Sequence, residues 1–204
     1  MSKFKTWIQK SLWIFLIVQF IPARSFADTL NQKATFAGGC FWCKTPPFEK
    51  LNGVVKVVAG YTGGKGLHPT YHDYAQTGHI EAVEVIFDPS KVTYDQLLEV
   101  YWKQINPTDS KGQFCDRGPQ YRPAIFYHSQ DQKMRIEQSK EQLHKSGKFD
   151  KPVTVESIEA TAFYPAEEYH QDYYKKNPIQ YKFYRFQCGR DQFLEKIWGK
   201  GSKH

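Results

Sequence analysis

The segment Gly38-Gly39-Cys40-Phe41-Trp42-Cys43 combines residue types and a spacing that can do chemistry. The thiolate is the reactive form of cysteine, and a helix start or a nearby cation lowers the pKa that controls it. Ala34-Thr35-Phe36-Ala37 reads as a strand running into the two glycines, with a helix beyond, so Cys40 falls at a strand-to-helix turn. The glycines permit another molecule to approach the backbone closely. At i,i+3 on a helical turn two α-carbons lie about 5–6 Å apart, within disulfide range. An oxidised Cys40 can then be captured by Cys43 without a large rearrangement.

Two other chemistries use a C-x-x-C. A structural zinc site normally shows a second close pair, whereas Cys115 and Cys188 stand alone. His68-x3-His72 lacks a third ligand at motif spacing, so no metal is expected there. A thioredoxin-like dithiol also fits the pair, although such a carrier has no need of the two long polar-aromatic loops in this chain. Those loops supply Tyr71, Glu81, Asp116 and Tyr121, acid groups and hydroxyls within reach of a cysteine nucleophile in principle.

The elements that must position these residues follow from patterning. Thr45-Pro46-Pro47 resembles an N-cap with prolines in a first turn, giving a helix that stops at Asn52-Gly53. Val54 to Ala59 is β-branched and predicts a strand, and Gly60 to Gly78 a long loop. Ala82 to Phe87 alternates as a strand. Thr93-x-x-Gln96 forms a capping box ahead of Leu97, Leu98, Tyr101 and Trp102 at helical spacing. Ala124 to Tyr127 is a strand, and Ser129-x-x-Gln132 opens a helix that Gly147 ends. Val153-Thr154-Val155 is strand-like, and Glu167 to Lys176 reads as helical. The first six elements run βαββαβ, which predicts an α+β fold, a ferredoxin-like split-βαβ two-layer sandwich with long functional loops.

The 204 residues carry a formal charge of +7, with 40% hydrophobic and 16% aromatic residues, which excludes wholesale disorder. Residues 1–27 hold Lys3, Lys5 and Lys10, an apolar run from Leu12 to Val18, and Ser25-Phe26-Ala27 before Asp28. This is the layout of a cleaved secretory signal peptide, and the run is too short for the ~20 apolar residues of a spanning helix. Its removal takes four basic residues and no acid, leaving +3 on residues 28–204, a single domain. That weak charge argues against a nucleic-acid partner. The expected product is exported, periplasmic or secreted, and monomeric.

Several motifs together carry a resemblance. Gly39-Cys40-Phe41-Trp42, Gly60-Tyr61-Thr62-Gly63-Gly64, Gly78-His79-x-Glu81-Ala82-Val83, Gln120-Tyr121-Arg122 and Ala166-Glu167-Glu168-Tyr169-His170-Gln171-Asp172-Tyr173 resemble, in the same order, the peptide-methionine sulfoxide reductase A family. The resemblance implies that Cys40 attacks the sulfur of methionine sulfoxide, S epimer, leaving methionine and a cysteine sulfenic acid. It implies Glu81 as the proton donor, Tyr71 and Tyr121 as hydroxyl donors to the sulfoxide oxygen, and Phe41 and Trp42 as the pocket for the substrate methyl. Asp116 matches a position that contacts the substrate or its hydrogen-bond network. No cofactor is implied, because electrons arrive by thiol–disulfide exchange from a thioredoxin-like dithiol.

The sequence departs from the common family pattern in two places. Cys43 and Thr45 stand where many members have Gly and Glu, as in a C-x-x-C subgroup. Asn177-Pro178-Ile179-Gln180-Tyr181 is followed by Lys182 rather than a recycling cysteine, and the nearest tail cysteine is Cys188. Cys43 is therefore the first candidate to resolve the sulfenic acid, with Cys188 second or passing a disulfide to the surface. Cys115 is expected to be a small buried residue.

Overall fold

The computed structural model describes residues 31–199, so the signal segment expected at 1–27 lies outside the described residues. In chain order the elements are β1 (Gln32–Ala37), α1 (Phe41–Glu49), β2 (Val54–Thr62), β3 (Ile80–Phe87), α2 (Tyr94–Trp102), β4 (Gly112–Gln113) and β5 (Asp116–Arg117). They continue with β6 (Ala124–Tyr127), α3 (Gln130–Lys145), β7 (Glu156–Glu159), β8 (Phe163–Pro165), α4 (Tyr173–Lys176), α5 (Pro178–Gln187) and α6 (Arg190–Trp198).

The main sheet runs β7-β6-β1-β3-β2-β8, and β4 and β5 form a separate two-residue hairpin. Its four central strands are mutually antiparallel, in the order expected of a split βαβ unit; β8 adds an antiparallel edge and β7 a parallel one. Strand alternation sorts the side chains. Phe36, Val83, Val85, Ile125 and Tyr127 join Phe48 of α1, Leu97, Leu98 and Tyr101 of α2, and Ile136 and Leu143 of α3 in the large core. Ala37, Ile80, Ala82, Ala124 and Phe126 form a smaller cluster on the opposite face. The helices α1, α2 and α3 thus cover one face, giving the expected two layers.

Local signals produce the expected starts of α2 and α3. Thr93 accepts from the Gln96 amide while the Gln96 side chain accepts from the Thr93 amide, and the Ser129 hydroxyl accepts from the Gln132 amide.

Four expectations are corrected. Helix α1 starts at Phe41 with Cys40 as N-cap, not at Thr45; the Thr45 hydroxyl instead donates back to the Phe41 carbonyl at 3.0 Å, and Pro46 and Pro47 lie inside the helix. The predicted loop at Gly60 to Gly78 begins later, because β2 continues to Thr62 and β3 already starts at Ile80. Glu81 is consequently a strand residue rather than a loop residue. Val153–Val155 is not a strand; pairing with β6 places β7 three residues later. The helix expected over Glu167–Lys176 is split into a 3₁₀ turn, Glu168–His170, and α4, with Asp172 between them at φ 54° in the left-handed region.

Candidate active site

Helix α1 is capped by groups from distant parts of the chain. The Phe41 N–H donates to Glu81 Oε2 at 3.1 Å, and the Cys40 N–H to Asp116 Oδ2 at 3.3 Å. Carboxyl oxygens at a helix start satisfy otherwise unpaired amides. The Cys43 N–H donates to the Cys40 carbonyl at 3.1 Å, closing the turn that carries both sulfurs. Gly39 has φ 76°, and a Cβ there would lie 2.8 Å from both Arg190 Nη2 and Gln113 Cβ. The glycine thus admits this protein's own side chains rather than an approaching molecule.

Cys40, Phe41, Trp42, Tyr71, Glu81, Asp116, Tyr121 and Tyr184 line one cavity of about 210 Å³. That is about seven waters' worth of space at ~30 Å³ each, enough for a side chain of a few heavy atoms. Seven of these eight are residues singled out from sequence. Cys40 is 6% exposed, and Cys43 is fully buried behind it. A larger groove of about 950 Å³, lined by Lys33, Glu84, Ile86 and Phe163 among others, contains none of the cysteines.

Glu81 lies on the helix-covered face of β3, in step with Val83 and Val85. Its second oxygen, Oε1, accepts from the Tyr74 hydroxyl at 3.0 Å. Burial pushes the Glu81 carboxyl up to about 8, against the lowering effect of its hydrogen bonds from Phe41 and Tyr74. A carboxylic acid facing the cavity is therefore protonated at neutral pH. Burial raises the Tyr71 and Tyr121 hydroxyls, with the Glu81 carboxyl as the next cause, so both stay neutral donors.

The two sulfurs titrate as a pair. Burial, then the hydrogen bond with Cys43, then Glu81, push the Cys40 thiol up. Cys43 is pulled down to about 6 by the hydrogen bond from Cys40, aided by Arg190 and Arg185 against burial. Burial thus opposes ionisation at Cys40, and the hydrogen bond between the sulfurs favours it at Cys43.

Trp42 is held in place by two contacts. Its ring stacks on Tyr173 with centroids 3.7 Å apart, and its Nε1 donates to His170 Nδ1 at 3.1 Å. His170 also lies 5.0 Å from the Phe41 ring and 4.5 Å from the Tyr71 ring, and burial lowers its pKa, so it accepts as a neutral imidazole. Glu167 accepts from the Tyr71 amide at 2.8 Å and from the Tyr61 hydroxyl at 2.9 Å, which pins the loop bearing Tyr71.

The remaining cysteines depart from expectation. Cys115 is exposed, not buried, and is joined to Cys188 by a disulfide with α-carbons 4.8 Å apart. Cys188, the second candidate resolver, is therefore paired elsewhere while Cys40 and Cys43 are both free.

Sequence reasoning missed Tyr74, Tyr184 and Arg190. Tyr184 donates to Asp116 Oδ1 at 2.5 Å, and Arg190 Nη2 lies 3.8 Å from Asp116 Oδ2. Both come from the C-terminal helices, which Asn177-Pro178 and the helical spacing of Tyr181, Tyr184 and Arg185 could have signalled. For Tyr74, buried in the middle of a polar loop, no local signal exists.

Comparison with known proteins places these features in a wider set. A family model described as Peptide methionine sulfoxide reductase matches residues 32–202. Peptide methionine sulfoxide reductase MsrA of Bacillus licheniformis is 54% identical over 172 residues, 83% of this chain and 95% of that protein. Among solved structures, Mxr1 of Saccharomyces cerevisiae in reduced form superposes with a TM-score of 0.67 at 31% identity, covering 74% of this chain and 88% of the other. Methionine sulfoxide reductase A of Corynebacterium diphtheriae gives 0.64 at 31% identity, covering 74% and 76%.

Proposed function

Because the chain belongs to the peptide methionine sulfoxide reductase family, we propose that Cys40 reduces the S epimer of methionine sulfoxide, with Glu81 as proton donor and Cys43 as resolving cysteine. One observation carries this assignment of roles. A buried carboxyl, raised to about 8, and the Cys40 turn are joined by a hydrogen bond across a small cavity.

Sulfoxide oxygen leaves poorly until it accepts a proton, which protonated Glu81 supplies. The neutral hydroxyls of Tyr71 and Tyr121 hold that oxygen as charge develops. Phe41 and Trp42 enclose the methyl group. As the Cys40 sulfur bonds to the sulfoxide sulfur, the Cys43 thiolate takes the Cys40 proton. The oxygen then passes to the Cys40 sulfur as the transient S–S bond and the substrate S–O bond break, a two-electron exchange that leaves a thioether and a Cys40 sulfenic acid.

Cys43 then forms the S–S bond, the Cys40 S–O bond breaks, and the oxygen leaves as water with the proton that Cys43 had taken. An external dithiol of thioredoxin type returns two electrons and two protons to the Cys40–Cys43 disulfide. The leader-like residues 1–27 support action in the periplasm or outside the cell. A general thiol–disulfide oxidoreductase is not favoured, since disulfide exchange has no use for a raised carboxyl and two neutral hydroxyls lining one cavity with Cys40.

The test supplies dithiothreitol and the two sulfur epimers separately. Turnover of the S epimer alone is expected. Equal turnover of both, or insulin reduction without sulfoxide reduction, rejects the proposal.

A further inference from the structure

Helix α6 contributes to the site a residue that the motifs do not single out. Arg190, its first residue, is 1% exposed. Its Nη1 donates to the Gln104 carbonyl at 2.7 Å, and its guanidinium lies 4.5 Å from the centre of the Phe114 ring. Its Nη2 has no hydrogen-bond partner and points at the Cys40 turn, 3.8 Å from Asp116 Oδ2 and against Gly39. A guanidinium does not shed its proton in a protein, so a fixed positive charge is buried against Gly39 and Asp116, at the turn that carries the two sulfurs. Burying such a charge without a full set of partners is costly unless something nearby carries the opposite sign.

We propose that Arg190 is a positioning residue of the sulfoxide reduction: it fixes Asp116 beneath the Cys40 amide and sets a buried positive charge against the turn that carries Cys40 and Cys43. This deepens the reductase reading and rests on it.

The surrounding charges leave Arg190 this role. From α1, Lys44 is buried and its pKa falls well below the usual range through desolvation, so it adds little charge. From α5, Arg185 also has a buried Nη2 without a hydrogen-bond partner, but its Nε donates to Asp191 at 2.6 Å and it ranks behind Arg190 in lowering Cys43; Tyr181 and Tyr184 stay neutral. From β3 and β5, Glu81 and Asp116 oppose ionisation of the cysteines. Tyr71 and Tyr121 remain protonated across the cavity. Arg190 and Arg185 are the cations that lower Cys43, and the carboxylate partner of Arg190 among the described residues is Asp116 itself. The Cys115–Cys188 disulfide ties the residue before Asp116 to the residue two before Arg190, which clasps the contact from outside.

A Cys43 held low gives up its proton readily to the oxygen leaving Cys40, so the resolving step reports on Arg190. Reduced wild type, R190Q, R190K and L194A are each mixed with one equivalent of methionine S-sulfoxide between about pH 5 and 9. Acid-quenched samples are analysed by mass spectrometry for sulfenic acid and Cys40–Cys43 disulfide, and methionine is counted separately. In R190Q the pH midpoint of disulfide formation moves up by about one unit, as loss of a neighbouring opposite charge implies, with about fivefold slower resolution near pH 6. R190K keeps the charge and stays near the wild-type midpoint. L194A, which loosens α6 at the buried Leu194 without touching charge, does the same.

No shift in R190Q, a full-unit shift in R190K, or an equal shift in L194A overturns the proposal. Absence of methionine from the wild type would instead remove the reductase reading beneath it, leaving the two failures distinguishable.

Discussion

Phe41 and Glu81 share a 3.1 Å hydrogen bond in which a strand carboxyl caps the first amide of the helix bearing Cys40. The carboxyl proposed as proton donor is therefore tied to the main chain of the helix that begins at Cys40, and one of its oxygens is held in place. Positioning of this kind leaves little reorganisation for the moment of reaction.

The first prediction concerns that carboxyl. Glu81→Gln keeps a hydrogen-bonding amide but no transferable proton, and methionine release in a single turnover is expected to slow about 10²–10⁴-fold. In the wild type the same rate falls as pH rises through about 8, where Glu81 loses its proton; the variant shows no such fall. Stability carries the same sign. A carboxyl raised by folding from 4.5 to about 8 is fully tolerated below its unfolded value and increasingly opposes folding as pH rises between the two. Chemical melts across that range should show Glu81→Gln gaining on the wild type with pH. An unchanged single-turnover rate removes Glu81 from the mechanism.

Tyr74→Phe tests how the carboxyl is tuned. The Tyr74 hydroxyl lowers Glu81 by donating to Oε1, so its loss moves the alkaline fall in rate upward. A hydrogen bond of about 0.5–1.5 kcal/mol corresponds to roughly half to one pH unit. A pH–rate profile of methionine release measures this directly, and a downward shift contradicts the assigned direction.

The cysteine roles separate by stoichiometry. Cys40→Ser releases no methionine. Cys43→Ser releases about one methionine per enzyme and then stalls as a sulfenic acid that dimedone traps. Its first release also slows, by about 10²-fold, because the thiolate that takes the Cys40 proton is gone. Sustained thioredoxin-driven turnover by this variant would move the resolving role to another sulfur.

Replacing both Cys115 and Cys188 by serine should leave dithiothreitol-driven turnover in place, since neither sulfur is needed to resolve Cys40. The cost falls on stability instead. A bridge between positions 73 residues apart constrains the unfolded chain, and its loss is expected to cost about 2–4 kcal/mol in urea melts. Loss of turnover in a variant that still folds would return Cys188 to the reaction.

Sequence was informative wherever structure depends on near neighbours. Thr93 with Gln96 and Ser129 with Gln132 mark helix starts because cap and amide lie three residues apart. The start of α1 was misplaced because its caps, Glu81 and Asp116, lie 40 and 76 residues away. Thr45 carries the residue type of an N-cap but turns its hydroxyl back to Phe41. The strand at β7 slipped because its register is set by β6, across a whole helix. Within the site, residues carried by motifs were legible. Tyr74, Tyr184 and Arg190 were not, since each matters through what tertiary packing puts beside it.

The two prolines inside α1 have a mechanical consequence. Without amide hydrogens, Pro46 and Pro47 offer no donor to the carbonyls of Trp42 and Cys43 four positions back, so two rungs of the helical ladder are missing directly behind the reactive sulfurs. Drawing Cys43 toward Cys40 during closure therefore breaks no main-chain bond at those rungs. What remains to be adjusted on closure is the turn ahead of the prolines, which the Cys43 N–H closes onto the Cys40 carbonyl.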